Sequence, residues 1–186
     1  MAKIKRNDLT EGFTGMFGKQ IVFKNRLGTR YVTAPPEVNK NRKPTPAQKK
    51  IQDKLLRCNE YAIEAIKDAK LKEDYAAAAT GGQTAVNVAF KDAWHAPVVH
   101  SITTNGYKRN AGDIIFIQAT DNFRVVSVKV SIFDVNGGLI EEGAANQDGL
   151  MWMYTASRNA DDAFRIVATA FDLPQNQGVM EANILT

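Results

Sequence analysis

Pro97 divides this chain between two hydrophobic periods. Before it, Ile51, Leu55, Cys58, Ala62, Ala65 and Ala69 advance by steps of four and three residues, and Leu56, Ile63 and Ile66 widen the stripe. That spacing keeps apolar groups on one face of an α-helix. After it, Val126, Val128, Val130 and Ile132 advance by two, leaving Ser127, Lys129, Ser131 and Phe133 for the opposite side. That is the pattern of a strand with one buried face. One element cannot satisfy both periods, so the chain is α+β with its helices and strands segregated along the sequence.

The helical zone spans residues 45–97. Thr45-Pro46-Ala47-Gln48 reads as a helix start: a capping threonine, a proline at the first helical position where its missing N–H costs nothing, and a glutamine to close the box. The first helix is predicted to run to about Lys70, a second over Lys72–Ala79 to Gly81-Gly82, and a third, capped by Thr84, over Ala85–Trp94. So short a bundle has little core and is expected to lean on a neighbour.

In residues 98–186 the strand candidates are Asp113–Thr120, Val125–Asp134, Leu139–Ala144, Leu150–Ser157, Ala163–Asp172 and Val179–Leu185, with Val98–Thr103 as a seventh. Val135-Asn136-Gly137-Gly138 is the strongest hairpin signal. Strands at this spacing, with turns but no helices between them, predict an antiparallel β-sandwich.

Residues 1–44 form a different zone, basic and rich in turn residues. A β-hairpin is predicted from Gln20–Lys24, a turn at Asn25–Gly28, and Thr29–Thr33. No other regular structure is assigned there, and Asn39–Pro44 reads as a solvated linker. Residues 1–50 carry twelve Lys and Arg against three Asp and Glu, a net +9 that leaves −5 on the remaining 136 residues. A basic arm on an acidic body suits a polyanion or another copy of the same body.

Two resemblances follow from these residues. Val126–Ala145, Asp148–Ala156 and Asp161–Asn176 resemble the strands of bacterial immunoglobulin-like domains. The resemblance implies an immunoglobulin-like sandwich. Phe164 stands where the corner tyrosine of such domains would be, and a single cysteine, Cys58, excludes the antibody-type disulfide. The first half, Gly18–Val32 followed by Pro44–Leu55, resembles uncharacterised small proteins of Bacteroidota and their prophages. That resemblance implies a structural role in phage-like or secreted assemblies.

No reaction is legible. His95 and His100, with Asp92 one turn earlier, are interrupted by Pro97 and lack a Cys or Glu companion, so no metal is assigned. Cys58 lies on the apolar stripe without a paired histidine and reads as a buried thiol. Asp134, Glu141-Glu142, Asp148 and Asp161-Asp162 lack the converging oxygens of a calcium loop and read as solvated turns. Gly12, Gly15 and Gly18 precede a strand, not a helix, and make no phosphate cradle. No cofactor and no small-molecule substrate are expected.

The expectation is a non-enzymatic structural protein that self-associates or decorates a larger particle: a filament, a phage-like particle or a contractile injection device. Its hairpin would contact a neighbouring subunit through Ile21, Phe23, Lys24, Arg26, Arg30, Tyr31 and Val32. Trp152 and Tyr154, alternating with Met151 and Met153, mark a second candidate interface. The alternative is a nucleic-acid-binding protein in which Lys24, Arg26 and Arg30 meet phosphates while Phe23 and Tyr31 stack on bases. No apolar run is long enough to span a bilayer, and the basic N-terminus lacks the apolar core of a signal peptide. The expected site of synthesis is the cytoplasm, with a particle or non-Sec export as the destination.

Overall fold

A computed structural model describes residues 2–3, 11–37 and 43–184. The chain divides into two compact units, Met1–Thr45 and Pro46–Thr186.

The first unit is a four-stranded antiparallel sheet built from β1 (Ala2–Lys3), β2 (Gly15–Phe17), β3 (Ile21–Arg26) and β4 (Thr29–Thr33), in the order β1-β4-β3-β2. The predicted hairpin is its centre. The turn is tighter than expected, because Asn25 and Arg26 continue the strand opposite Arg30 and Thr29. Leu27 and Gly28 alone turn the chain, both at positive φ (50° and 77°), which matches the twist of two-residue hairpins. Assigning no structure outside the hairpin was wrong: β2 pairs with β3 and β1 with β4. Strands of two and three residues carry too little alternation to be read as strands. The added strands answer the weakness of a lone hairpin, which is marginal in water without further strands or an apolar cover. Most of the expected linker, Asn39–Arg42, lies outside the described residues.

The second unit opens with α1 (Pro46–Ala65), α2 (Ala69–Ala77) and α3 (Ala85–Trp94). The first helix ends short of Lys70 because Asp68 takes an extended backbone and accepts a hydrogen bond from the Leu71 N–H at 2.8 Å. That is an N-cap, so a new helix starts there. α3 begins as expected, with Thr84 and Asn87 forming a reciprocal capping box. Seven strands follow: β5 (Val98–Thr103), β6 (Ile114–Thr120), β7 (Val125–Asp134), β8 (Leu139–Asp148), β9 (Met151–Thr155), β10 (Ala163–Asp172) and β11 (Gln177–Asn183).

These strands form one antiparallel sheet in the order β11-β10-β7-β8-β9-β6-β5. β8 joins its halves, pairing with β7 through Ala145 and with β9 from Asn146 onward. It therefore runs four residues past the predicted end at Ala144. The sheet curls until its ends nearly meet. A Cβ on Gly178 of β11 would lie 1.9 Å from the carbonyl oxygen of Pro97, just before β5, so only glycine fits there.

The core lies inside this curl. Ile115 and Ile117 of β6, Val128, Val130 and Ile132 of β7, and Ile166, Ala168 and Ala170 of β10 are buried together with Trp152 and Tyr154. The helices do lean on the strands. Ala62, Ala65, Tyr75, Val88 and Ala89 make a small cluster onto which Phe123 and Leu173, from the strand region, are packed. Tyr75 and Phe123 bring their ring centroids to 4.3 Å.

Candidate interaction surface

Strand register decides which residues of the first unit share a face. Phe23 stands opposite Val32 and Gly15, Ile21 opposite Phe17, and Asn25 opposite Arg30. Partners across a ladder, and residues two apart along a strand, project to the same side. One face therefore carries Phe17, Ile21, Phe23, Val32 and Arg30. The other carries Met16, Val22, Lys24, Arg26 and Tyr31.

The first face is the more apolar, and Phe13 extends it. Its ring meets that of Phe23 edge-on, with centroids 5.8 Å apart. A groove of about 310 Å³ runs between the segment from Gly12 to Phe17 and Phe23. Phe13 is 58% exposed, Met16 56% and Phe17 73%. Among residues 11–37, no side chain is buried. Among its described residues 11–37 the sheet thus has apolar faces and no wholly buried residue. Exposed aromatic clusters of this kind are unusual on a surface that stays wet.

The seven residues expected to make the hairpin contact are split by the register. Ile21, Phe23, Arg30 and Val32 fall on one face; Lys24, Arg26 and Tyr31 fall on the other. Arg30 is tied to Glu11 at 3.3 Å. The cations and rings that nucleic-acid binding would combine therefore do not gather on a single side. Phe13, Met16 and Phe17 were missed as surface residues, although three large apolar groups among glycines were there to be seen.

Trp152 and Tyr154 require a correction as interface residues. They are 6% and 4% exposed and belong to the core, because β9 turns this alternate pair inward. Met151 and Met153, half-buried, hold the opposite side of the strand. A second apolar surface lies instead on α1. Ile51, Leu55, Leu56 and Ile63 are about half exposed or more, while Cys58, Ala62 and Ala65 are buried. Only the second half of the predicted stripe meets the protein's own core.

The remaining candidates have local partners. His95 Nδ1 lies 2.9 Å from the Lys91 carbonyl oxygen, whereas His100 Nε2 meets Thr120 Oγ1 on β6 at 2.6 Å. Cys58 is buried, its thiol donates to the Ala93 carbonyl at 3.3 Å, and burial pushes its pKa up. Asp134 accepts the N–H groups of Asn136 and Gly138 at 2.8 Å and shapes the β7–β8 turn. Glu141 is no solvated turn residue: it is buried on β8 and accepts from the Ser157 N–H at 3.0 Å.

No family model and no curated protein matches this chain. Among solved structures, a hypothetical protein from Pyrococcus horikoshii OT3 aligns at a TM-score of 0.33 and 7% identity, over 49% of this chain and 88% of its own. A conjugative transposon lipoprotein from Bacteroides eggerthii DSM 20697 aligns at 0.28 and 12% identity, over 48% of this chain and 95% of its own. Likenesses this slight add nothing to the reading of fold or function. Among the described residues, no helix is long and apolar enough to cross a membrane.

A polar cluster inside the second unit had no sequence signal at all. The Tyr61 and Tyr75 hydroxyls lie 2.9 Å apart, and Tyr75 donates to Asp92 Oδ2 at 2.6 Å. Burial pushes the Asp92 carboxyl up to about 7, against the pull of the Tyr75 bond, and the charges of Asp121 and Asp172 add to the rise. Burial also raises Asp172, which accepts from the Asn176 backbone at 2.6 Å and its side-chain amide at 2.8 Å. These residues come from α1, α2, α3, the β6–β7 turn and β10, so only the folded chain brings them together.

Proposed function

We propose that this protein is a non-enzymatic assembly subunit whose N-terminal sheet docks on a neighbouring copy. The observation that carries the reading is the exposure of the first unit: four paired strands, two apolar-bearing faces, and no wholly buried residue among residues 11–37. A contiguous exposed apolar face marks an interaction surface, and Phe13, Phe17, Ile21 and Phe23 offer the surface that a partner would bury. The net +9 of residues 1–50 against −5 on the rest favours the acidic second unit of another copy. The exposed apolar side of α1 is a further contact surface of the same kind.

The second unit serves as the body of the subunit, and we assign it to the immunoglobulin-like sandwiches. Strand order supports the assignment. Counting β5 as the first strand, first, second, fifth and fourth pair in succession, as do third, sixth and seventh. That is the pairing of an immunoglobulin constant-type domain. The fourth strand, β8, also pairs with the third and so links the two halves. The resemblance of the first half to proteins of Bacteroidota and their prophages adds a phage-like or injection-type particle as the setting.

Amide hydrogen exchange tests the docking. In dilute protein the β3 and β4 amides should exchange quickly, since no wholly buried residue shields them. As concentration rises they should become protected, without added nucleic acid. Protection that appears only with nucleic acid would favour the alternative reading, with Lys24, Arg26 and Arg30 on phosphates and Phe23 and Tyr31 on bases.

A further inference from the structure

We propose that Asp92, Asp121 and Asp172 bind one hard divalent cation of calcium size in the second unit. The three carboxylates each offer an oxygen, and these oxygens lie within 4.8 Å of one another. Asp92 and Asp172 are wholly buried, and Asp121 is half-buried. None of the three forms an ion pair with Lys, Arg or His among the described residues. Arg124, three residues along the turn from Asp121, directs its guanidinium to Asp74 at 3.3 Å. Uncompensated charge of this kind is not left in a protein interior without a counter-charge or a proton.

The hydrogen bonds show where the counter-charge belongs. Asp92 Oδ2 is held by the Tyr75 hydroxyl, and Asp121 Oδ2 by the N–H groups of Phe123 and Arg124 at 2.9 and 3.1 Å. The other oxygen of each, Asp92 Oδ1 and Asp121 Oδ1, is buried and has no hydrogen-bond partner. On the wholly buried Asp92, an oxygen that receives no donor, in a cluster with two other carboxylates, is a demand for a positive ligand or a shared proton. Tyr75, the Phe123 and Arg124 backbone and Asn176 occupy the place of supporting groups that orient metal ligands.

The oxygen set admits an ion of calcium size. Oxygens all within 4.8 Å of one another can be met from one point at no more than about 2.8 Å each, and calcium prefers about 2.3–2.6 Å. Magnesium holds to a strict octahedron and keeps several waters, for which two wholly buried carboxylates leave little room, whereas calcium accepts a flexible mixed oxygen set. All ligands are oxygen, which excludes a preference for softer metals. Three carboxylates supply three to six oxygens, and the half-buried Asp121 side leaves room for water to complete the set. This set shares only Asp92 with the His95, His100 and Asp92 grouping of the sequence, where no metal was assigned.

The test uses the full-length chain, freed of metal with EDTA and desalted. Calcium should raise the melting temperature by several degrees and bind at one ion per chain by calorimetry. Terbium at the same site should luminesce on tyrosine excitation, because Tyr75 touches Asp92. Asp121→Asn, at the half-buried position and so the mildest change, should weaken calcium binding at least tenfold and quench the terbium signal while the chain stays folded. Magnesium should give a clearly smaller thermal shift; an equal one would overturn the size assignment. If calcium changes nothing and Asp92→Asn is more stable than the parent in EDTA and in calcium alike, the site is a pair of carboxyls sharing a proton and the proposal fails.

Discussion

The ring of Phe13 packs edge-on against the ring of Phe23 at 5.8 Å, yet Phe13 remains 58% exposed. In the docking proposed above, the pair is half of a contact. It orders the chain before β2 over one face of the N-terminal sheet and leaves that face apolar and wet.

Replacing Phe13 and Phe17 with serine removes two of the rings that a neighbour would cover. Each should cost about 2 kcal/mol of association, roughly a thirtyfold rise in Kd, if they act as aromatic anchors. Thermal unfolding of the second unit should not change, because neither residue belongs to its core. Sedimentation over a concentration series measures both outcomes on one sample.

Charge asymmetry makes association salt-dependent. The Debye length shrinks from about 10 Å at 0.1 M salt to about 3 Å at 1 M, so the attraction between the +9 segment and the −5 remainder should fade while apolar contact persists. Lys24→Gln with Arg26→Gln should reduce the salt dependence and slow association. A short DNA duplex added at 0.15 M salt should leave the particle size unchanged.

Gly178→Ala tests the closing of the seven-stranded sheet. The new methyl would meet the Pro97 carbonyl oxygen at 1.9 Å, and backbone on both sides must move. A loss of about 1–3 kcal/mol is expected by urea denaturation, as for overpacked sites. Alanine at Gly137, where nothing lies within 4 Å, faces only its positive φ of 84° and serves as the unclashed comparison.

Asp92 sets a pH dependence in metal-free buffer. Its carboxyl is held near 7 in the fold, mainly by burial, against about 3.9 in an unfolded chain. The folded state therefore binds the proton more tightly, and the associated stability is fully present below about pH 4 and lost as pH rises through 7. Asp172, raised by burial, acts in the same direction. Tyr61 and Tyr75, both pushed up, stay neutral throughout. In EDTA the melting temperature should fall from pH 5 to pH 8, and Asp92→Asn should flatten most of that slope.

Much of the architecture was legible because it rests on local periodicity. β7 and β10 have the bounds that alternation predicted, and the third helix begins at its threonine cap. The misses have physical reasons. Asp68 ended the first helix because a cap outweighs a continuing stripe, and Ile51 and Leu55 showed that a helical stripe does not say what covers it. Trp152 and Tyr154 alternate with two methionines, so apolarity alone could not tell inside from outside. Asp92, Asp121 and Asp172 lie on three elements, and no spacing along the chain foretells their meeting.

Absolute mass by light scattering, for the full chain and for a chain lacking residues 1–45, tests the central claim most directly. The full chain should be a concentration-dependent multi-subunit species, and the shortened chain a folded monomer. A full-length protein that stays monomeric at high concentration would contradict the account.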